Sequence, residues 1–325
     1  MGLESLRLLR LPQSVRREAW FRLARLALFG LAATGCGTSA PVAPRRTDAY
    51  LYEDTRRLVD FVESAAALIE RRGTAAFAEF DRPGGRWRTA PTYLFVYDVE
   101  GTCVWHGKSP ELVGRNLLTF RDALGKPVVE LATEIGRRPE HDAADWIFYL
   151  WEEQTEFLPK WKSSYVRKAV APDGRVYVVG SGSSRIKIEK LFVREQVDSA
   201  ARRLRERGRE AAFRDLREPG SQFHFLDTFV YVLDARGHSL VDPAYPSIEG
   251  RDMSGFRDVN GRPVVQELLR KLETADTAWV QYLWPKPGER VPSRRLMYVR
   301  KVEAGGETFL VGSDFSLATP IWMRL

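Results

Sequence analysis

The sequence contains only two cysteines and four histidines in 325 residues, and these small numbers exclude several classes of protein. Two thiols cannot build a multi-disulfide framework or a four-thiolate zinc site. The histidines do not pair at metal-ligand spacing within either half of the chain, so no metal site is predicted. No apolar run reaches the length of about 18 residues that a membrane-spanning helix needs. The sequence therefore predicts neither a metal centre nor a membrane span.

Catalytic motifs are absent as well. The chain has no P-loop, no G-x-S-x-G elbow, no H-E-x-x-H and no dinucleotide-binding G-x-G-x-x-G after a strand. Cys103 stands alone in a predicted strand, where a small buried thiol is favoured over a nucleophile. The net charge of +7 comes from interleaved signs, so no nucleic-acid-binding stripe is expected. We predict a protein that is not an enzyme, has no catalytic residue and uses no cofactor.

What is present is the composition of a folded chain. Hydrophobic residues make up 44% and aromatics 11%, which excludes disorder for most of the length. At roughly 150 residues per domain, the length predicts about two domains.

The first 35 residues have the layout of a secretory signal. Arginines precede a short apolar stretch, Leu26 to Ala33, which is followed by Ala33-Thr34-Gly35-Cys36. This ending resembles the bacterial lipoprotein signal, in which the cysteine is diacylated and becomes the new N-terminus. We expect a signal peptide over residues 1–35 and a lipidated tether over residues 36–47. The alternative is an arginine-rich amphipathic helix followed by an incidental cysteine.

The rest of the chain is an internal repeat. Asp98 to Val129 aligns with Asp234 to Val265 at a shift of 136 without a gap, and twelve of the 32 positions are identical. The pattern W-x-x-Y-L-W recurs at Trp146 and Trp279, and Tyr-Val-Arg-Lys and Val-Gly-Ser also recur in the same order. We predict two duplicated domains, residues 48–187 and 188–325.

Each copy is predicted to begin with a long helix, Asp48 to about Phe80 and about Ile186 to Leu216, with apolar residues at three- and four-residue spacing. A hairpin, an irregular connector with a short helix, and three further strands follow. This order predicts an α+β fold in which a long N-terminal helix packs on a central antiparallel sheet.

Aromatic and basic residues recur on adjacent strands of both copies. The strand period of two places Tyr149 and Trp151 on one face, and Tyr165 and Arg167 on one face of the next strand. Lys162 precedes that strand, and Arg295 takes its place in the second copy, beside Tyr282, Trp284 and Tyr298. Such a set suits a small carboxylate or amine. The alternative is that these aromatic residues are ordinary core residues. The pair Arg121-Asp122, which recurs in the second copy, is favoured as a structural pair over a ligand contact.

The ordered motifs resemble the single-module Cache domain, a PAS-like extracytoplasmic sensor. They are D-x-x-G at Asp98, P-x-L-x-G-x-N-L from Pro110, W-x-x-Y-x-W at Trp146, K-x-S-Y-V at Lys162 and V-G-S-G at Val179. The resemblance covers nearly all of residues 50–325 as two copies. It implies a pocket over the sheet for a small organic ligand, often a short carboxylic acid or a similar metabolite. On the matching positions, we count His106, Asn116, Arg121 and Ser164 with the residues above as candidate ligand contacts.

The second copy departs from this pattern at several positions. Asp242 stands where the first copy has His106, Asp252 replaces Asn116, the serine of K-x-S-Y is missing, and the last motif ends in Asp314. An added negative charge disfavours a carboxylate ligand. We therefore expect the first copy to be the better acid-binding module.

These observations predict a ligand-binding sensor lipoprotein on the periplasmic side of a bacterial membrane, with inner and outer membrane both open. Because no transmembrane helix or kinase follows the second copy, we expect it to pass its state to a membrane histidine kinase or chemoreceptor. The alternative is an assembly lipoprotein whose modules bind proteins and no ligand. An open pocket would indicate the sensor, whereas a pocket filled by side chains would indicate the assembly lipoprotein.

Overall fold

The computed structural model describes residues 46–88, 92–151, 158–286 and 288–317. The predicted signal segment, Cys36 and nearly all of the predicted tether lie outside these residues. Within this part of the chain, no helix combines the length and the apolarity needed to cross a bilayer.

The first module is a five-stranded antiparallel sheet with helices on both faces. Its elements are α1 (Glu53–Arg72), α2 (Ala75–Phe80), β1 (Leu94–Asp98), β2 (Cys103–His106), α3 (Val128–Arg137), β3 (Ala144–Trp151), β4 (Lys160–Val170) and β5 (Val176–Ser183). The strands lie in the order β2-β1-β5-β4-β3. The connector between β2 and α3 contains a short 3-10 helix, Pro110–Leu112.

The second module repeats this arrangement. Its elements are α4 (Lys190–Arg217), β6 (His224–Phe225), β7 (Thr228–Asp234), β8 (Ser239–Val241), α5 (Val264–Leu272), β9 (Thr277–Pro285), β10 (Pro292–Ala304) and β11 (Glu307–Ser316). The strand order is β6-β7-β11-β10-β9, with β8 also paired to β7. The predicted α+β class, with a helix packed on an antiparallel sheet in each of two PAS-like modules, is confirmed.

Glycines break both of the predicted long helices. Gly73 ends α1 with a φ of 57°, while its N–H still donates to the carbonyl of Ile69. The chain then resumes as α2. In the second module, α4 begins at Lys190 and is interrupted at Gly208, whose φ is 79°. Both predicted helical stretches are thus helical with a break at a glycine, because glycine accepts a positive φ that other residues rarely adopt.

The sheet of the first module separates two apolar layers, because successive side chains of a strand point to opposite faces. Leu94 and Val96 of β1 belong to the core that contains the buried face of α1. Phe95 and Tyr97, one residue away from them, belong to the core that contains α3. The cavity described below lies in this second layer.

Residues from beyond the predicted domain boundary complete the core under α1. Phe192 of α4 and Phe225 of β6 both belong to it, and the Phe225 ring stacks on that of Phe148 at 3.9 Å between centroids. Lys126, which is fully buried, donates from Nζ to the carbonyls of Phe148 and His224, at 2.5 and 2.8 Å. Burial lowers the pKa of this ammonium to about 8. The division between residues 187 and 188 stays a prediction, and the two modules share packing across it.

Candidate ligand-binding site

Strand β4 sends its candidate residues to opposite faces of the sheet. Ser164 and Val166 line a cavity on the α3 side. Tyr165 donates instead to Glu63 on α1 at 2.7 Å. Arg167 likewise pairs with Glu63 and Glu70, at 2.8 and 2.7 Å. The structure therefore places Tyr165 and Arg167 outside the cavity, contrary to their selection as ligand contacts.

The cavity of the first module lies between the sheet, α3 and the connector. Its volume is about 140 Å³. An apolar cavity of about 150 Å³ is large enough to hold benzene, so a molecule of a few carbons fits. The lining is mostly aromatic and aliphatic, and it consists of Tyr93, Phe95, Tyr97, His106, Leu112, Leu117, Phe120, Val128, Val129, Ala132, Ile147, Tyr149, Trp151, Ser164 and Val166. Of the predicted contacts, the structure brings His106, Tyr149, Trp151 and Ser164 together here.

Lys162 supplies a buried positive charge next to this cavity. The side chain is only 2% exposed, and its Nζ donates to the hydroxyl of Tyr93 at 2.6 Å. Nζ also lies 4.5 Å from the ring centroid of Tyr93 and 5.0 Å from that of Trp151, in cation–π contact with both. Both rings belong to the lining. The ammonium is thus held against the cavity by two of its walls.

His106 contributes a neutral donor. Its Nδ1 accepts hydrogen bonds from the backbone N–H groups of Lys108 and Ser109, at 3.3 and 2.8 Å. Because Nδ1 accepts, the ring proton of the neutral form sits on Nε2. Burial, reinforced by the charge of Lys162, lowers the pKa of His106 to about 4. At neutral pH the ring is therefore uncharged and offers Nε2–H.

Two hydroxyl groups complete the polar lining. The hydroxyls of Tyr149 and Ser164 lie 3.0 Å apart and are both buried. One of the two hydroxyls donates to the other, and the hydroxyl that accepts can itself donate to a ligand. The cavity thus combines apolar walls with several convergent donors.

Asn116 and Arg121 have other roles. Asn116 is exposed, donating from Nδ2 to the carbonyl of Glu100 and accepting from the N–H of Leu118. Arg121 is also exposed and pairs with Glu130 at 3.1 Å. Both hold the connector in shape, and neither lines the cavity.

Four aromatic residues of the lining were not predicted as contacts: Phe120 of the connector and three residues that lie together. Tyr93, Phe95 and Tyr97 alternate along β1 and its preceding residue, and the strand period alone is enough to group them on one face. Phe95 lies opposite Gly180 of β5, where a Cβ atom would come within 2.3 Å of the ring. The glycine of the repeated Val-Gly-Ser motif therefore leaves room for an aromatic cavity wall.

The second module has a cavity of about 230 Å³ in the equivalent layer. Its lining consists of Phe229, Tyr231, Leu233, Asp242, Ala244, Tyr245, Ile248, Met253, Phe256, Val264, Val265, Leu268, Tyr282, Trp284, Arg295, Met297 and Asp314. The predicted contacts Tyr282, Trp284 and Arg295 are included. Tyr298 is not, because it lies on the α4 side of the sheet, with its ring 4.8 Å from that of Trp279.

Arg295 differs from Lys162 in its surroundings. Its guanidinium donates to Asp314 at 2.5 Å and lies 3.5 Å from the carboxylate of Asp227. It also donates to the hydroxyl of Ser316 and the carbonyl of Asp227. Burial opposes its charge, yet the attraction of Asp314 raises the pKa of Arg295 above its usual value. Tyr282 donates to Asp314 as well.

Two antiparallel sheets, each with a mostly apolar cavity and a few polar groups on one face, define a tandem of PAS-like ligand-binding modules. Comparisons with known families agree. A model described as "Single Cache domain 2" matches residues 193–316, and one described as "Cache domain" matches residues 86–189. The chain belongs to the Cache family and carries two of its modules in tandem. Cache domains are extracytoplasmic sensor modules that bind ligands.

Individual relatives match parts of the chain. The "Methyl-accepting chemotaxis protein McpP" of Pseudomonas putida is 29% identical over 87 residues, which are 27% of this chain and 16% of that protein. A solved "periplasmic sensor domain of chemotaxis protein" is 29% identical over 38% of this chain and 88% of its own, with a TM-score of 0.31. A solved Cache chemosensory domain, whose title concerns carboxylic acid recognition, is 23% identical over 39% of this chain and 91% of its own, with a TM-score of 0.34.

Proposed function

We propose that this chain is an extracytoplasmic sensor that binds a short organic carboxylate in the cavity of the first module. It then passes the bound state to a membrane signalling partner. The observation that carries the proposal is the donor set at one cavity: the Lys162 ammonium, the Nε2–H of His106 and the hydroxyls of Tyr149 and Ser164. Among the residues that the structure describes, none in the lining of this cavity is acidic.

The chemistry of this set favours an anion. A buried carboxylate requires hydrogen bonds and a positive charge to offset its desolvation. The Nδ1 atom of His106 accepts a hydrogen bond from the backbone, so the donor that its ring can offer to a ligand is Nε2–H. The aromatic and aliphatic walls suit a short hydrocarbon tail. Acetate, propionate and butyrate are the natural probes.

The open cavity also favours a sensor over the alternative of a structural lipoprotein without a ligand. A module that served only as a protein-binding surface would be expected to fill this space with side chains. Here about 140 Å³ stays open in one module and about 230 Å³ in the other.

We expect Lys162→Met to weaken propionate binding by at least about tenfold without unfolding the module. A hydrogen bond to a charged group is worth about 1.5–3 kcal/mol, or roughly ten- to a hundredfold in affinity. Calorimetric titration measures the change. Lys168→Met is the matched control, because Lys168 lies on the same strand, is also buried and donates to the carbonyl of Arg138 away from the cavity. Equal losses in both variants, or none at Lys162, would remove the assignment.

The partner in this proposal is a membrane histidine kinase or chemoreceptor. The similarity to a methyl-accepting chemotaxis protein supports it, because that protein is named as a component of chemotaxis. Chemotaxis is therefore the first signalling output to examine.

We further propose that Cys36 is lipidated and tethers the modules to the periplasmic side of a membrane. In a bacterial host fed a palmitate analogue, the wild-type chain should carry label and fractionate with membranes, and Cys36→Ala should carry none. Cys103→Ala should keep the label, because Cys103 is fully buried. Label that persists in Cys36→Ala would disprove the anchor.

A further inference from the structure

The two cavities carry different charges at equivalent positions. Asp242 of the second module aligns with His106 of the first. Asp314 of β11 pairs with Met297 in the second module. The equivalent pair in the first module is Gly182 of β5 with Ser164. Two carboxylates therefore stand where the first module has a neutral imidazole and a glycine. Both carboxylates line the second cavity.

The positive charge of the second cavity is already paired. Arg295 contacts the carboxylates of Asp314 and Asp227, and its remaining hydrogen bonds go to Ser316 and the Asp227 carbonyl. Across the described residues, no ion pair is found for Asp242. The lining thus holds one guanidinium, that of Arg295, and two carboxylates, those of Asp242 and Asp314, so its balance of charge is negative.

The position of Asp242 is fixed by backbone contacts. Its Oδ1 accepts from the N–H of Tyr245 at 2.8 Å, and its own N–H donates to Glu249 at 2.9 Å. Burial, with repulsion from Asp314, raises the pKa of Asp242 to about 6. At pH 7 the cavity wall therefore carries a desolvated carboxylate, whose charge a cationic ligand would compensate.

Aromatic rings supply the remaining walls. Six of them line the cavity: Phe229, Tyr231, Tyr245, Phe256, Tyr282 and Trp284. The rings of Phe256 and Trp284 lie edge to face, 4.8 Å apart. The face of an aromatic ring attracts a cation, and tryptophan does so most strongly. Rings together with carboxylates are a suitable environment for an ammonium group.

We propose that the cavity of the second module binds a small organic cation, a primary amine whose ammonium group pairs with Asp242 and whose apolar part packs on the aromatic rings. A carboxylate is disfavoured there because it would face Asp242 and Asp314, while Arg295 is already occupied by acids. The tandem thus has two sites of opposite preference, and the second site does not depend on the acid site proposed for the first module.

The test uses three ligands of equal length on the full chain: n-butylammonium, n-butanol and butyrate. We expect Asp242→Asn to weaken butylammonium binding by at least about tenfold, as for loss of a charge-assisted contact. Asp276→Asn is the matched control, with the same change at a side chain that is 83% exposed in the same module, and it should bind like the wild type. Butyrate should respond to Lys162→Met and not be weakened by Asp242→Asn.

A second variant and a pH series keep the proposal testable if Asp242→Asn fails to fold. Trp284→Leu should lower the ratio of butylammonium to butanol affinity, because it removes a ring and keeps an apolar wall. In the wild type, butylammonium affinity should fall as the pH drops from 7.5 to 5, because Asp242 becomes protonated; Asp314, Glu249 and Arg295 are the charged groups around it. The proposal is overturned if butylammonium does not bind, binds no more tightly than butanol, or binds independently of Asp242 and Trp284.

Discussion

Replacing Phe225 with alanine is expected to lower the free energy of unfolding by about 3–5 kcal/mol, the usual cost of truncating a buried phenylalanine. Phe225 is fully buried, and its ring is nearly parallel to that of Phe148, at an angle of 13°. It sits on β6, in the second half of the chain, yet it belongs to the core under α1. The loss should therefore destabilise the first module, although the substitution lies outside its predicted bounds.

Denaturant unfolding followed by tryptophan fluorescence measures this effect. Phe120→Ala is the control, since Phe120 is 36% exposed and should cost far less. If Phe225→Ala unfolds like the wild type, the two modules do not share a core in solution.

Substituting Arg167 with methionine should cost stability and leave acid binding unchanged. Removing one partner of a buried ion pair typically costs about 3–5 kcal/mol. Glu63 and Glu70 keep 26% and 22% of their side-chain surface exposed, so solvent reduces the cost. We therefore expect the free energy of unfolding to fall by about 2–3 kcal/mol. Acid binding should be unchanged because Arg167 joins β4 to α1 on the face opposite to the cavity.

Two measurements on the same variant are needed: the free energy of unfolding and the affinity for propionate. Arg175→Met serves as the control, because Arg175 pairs with Asp173 at the surface and is 60% exposed. A loss of affinity at unchanged stability would return Arg167 to the binding site and contradict the orientation of β4.

The repeat and the order of elements could be predicted from the sequence, because the two copies align without a gap and each element shows its periodicity within a short window. Lys162 and Tyr165 were grouped because the predicted strand begins after Lys162, so the strand period was not applied to both residues. In the structure β4 begins at Lys160, and two residues three positions apart on one strand point to opposite faces.

Other features depend on contacts that no local pattern reports. Asn116 and Arg121 stand in motif positions and hold the connector, and a residue in a motif position is compatible with either a structural or a binding role. The pairing of Arg295 with Asp314 depends on the register between β10 and β11. The placement of Phe225 depends on a strand of two residues, which is too short to recognise from alternation.

The first turn of helix α4 places Phe192 in the core of the first module, and Val193 and Val197 of the same helix lie in the core of the second. A chain cut before α4 leaves the first core incomplete, and a cut after its first turns deprives the second of its helix. For gene fusion and recombination, the unit that can be transferred with both cores intact is accordingly the pair. Chimaeric receptors built from this protein should exchange residues 46–317 as a single block.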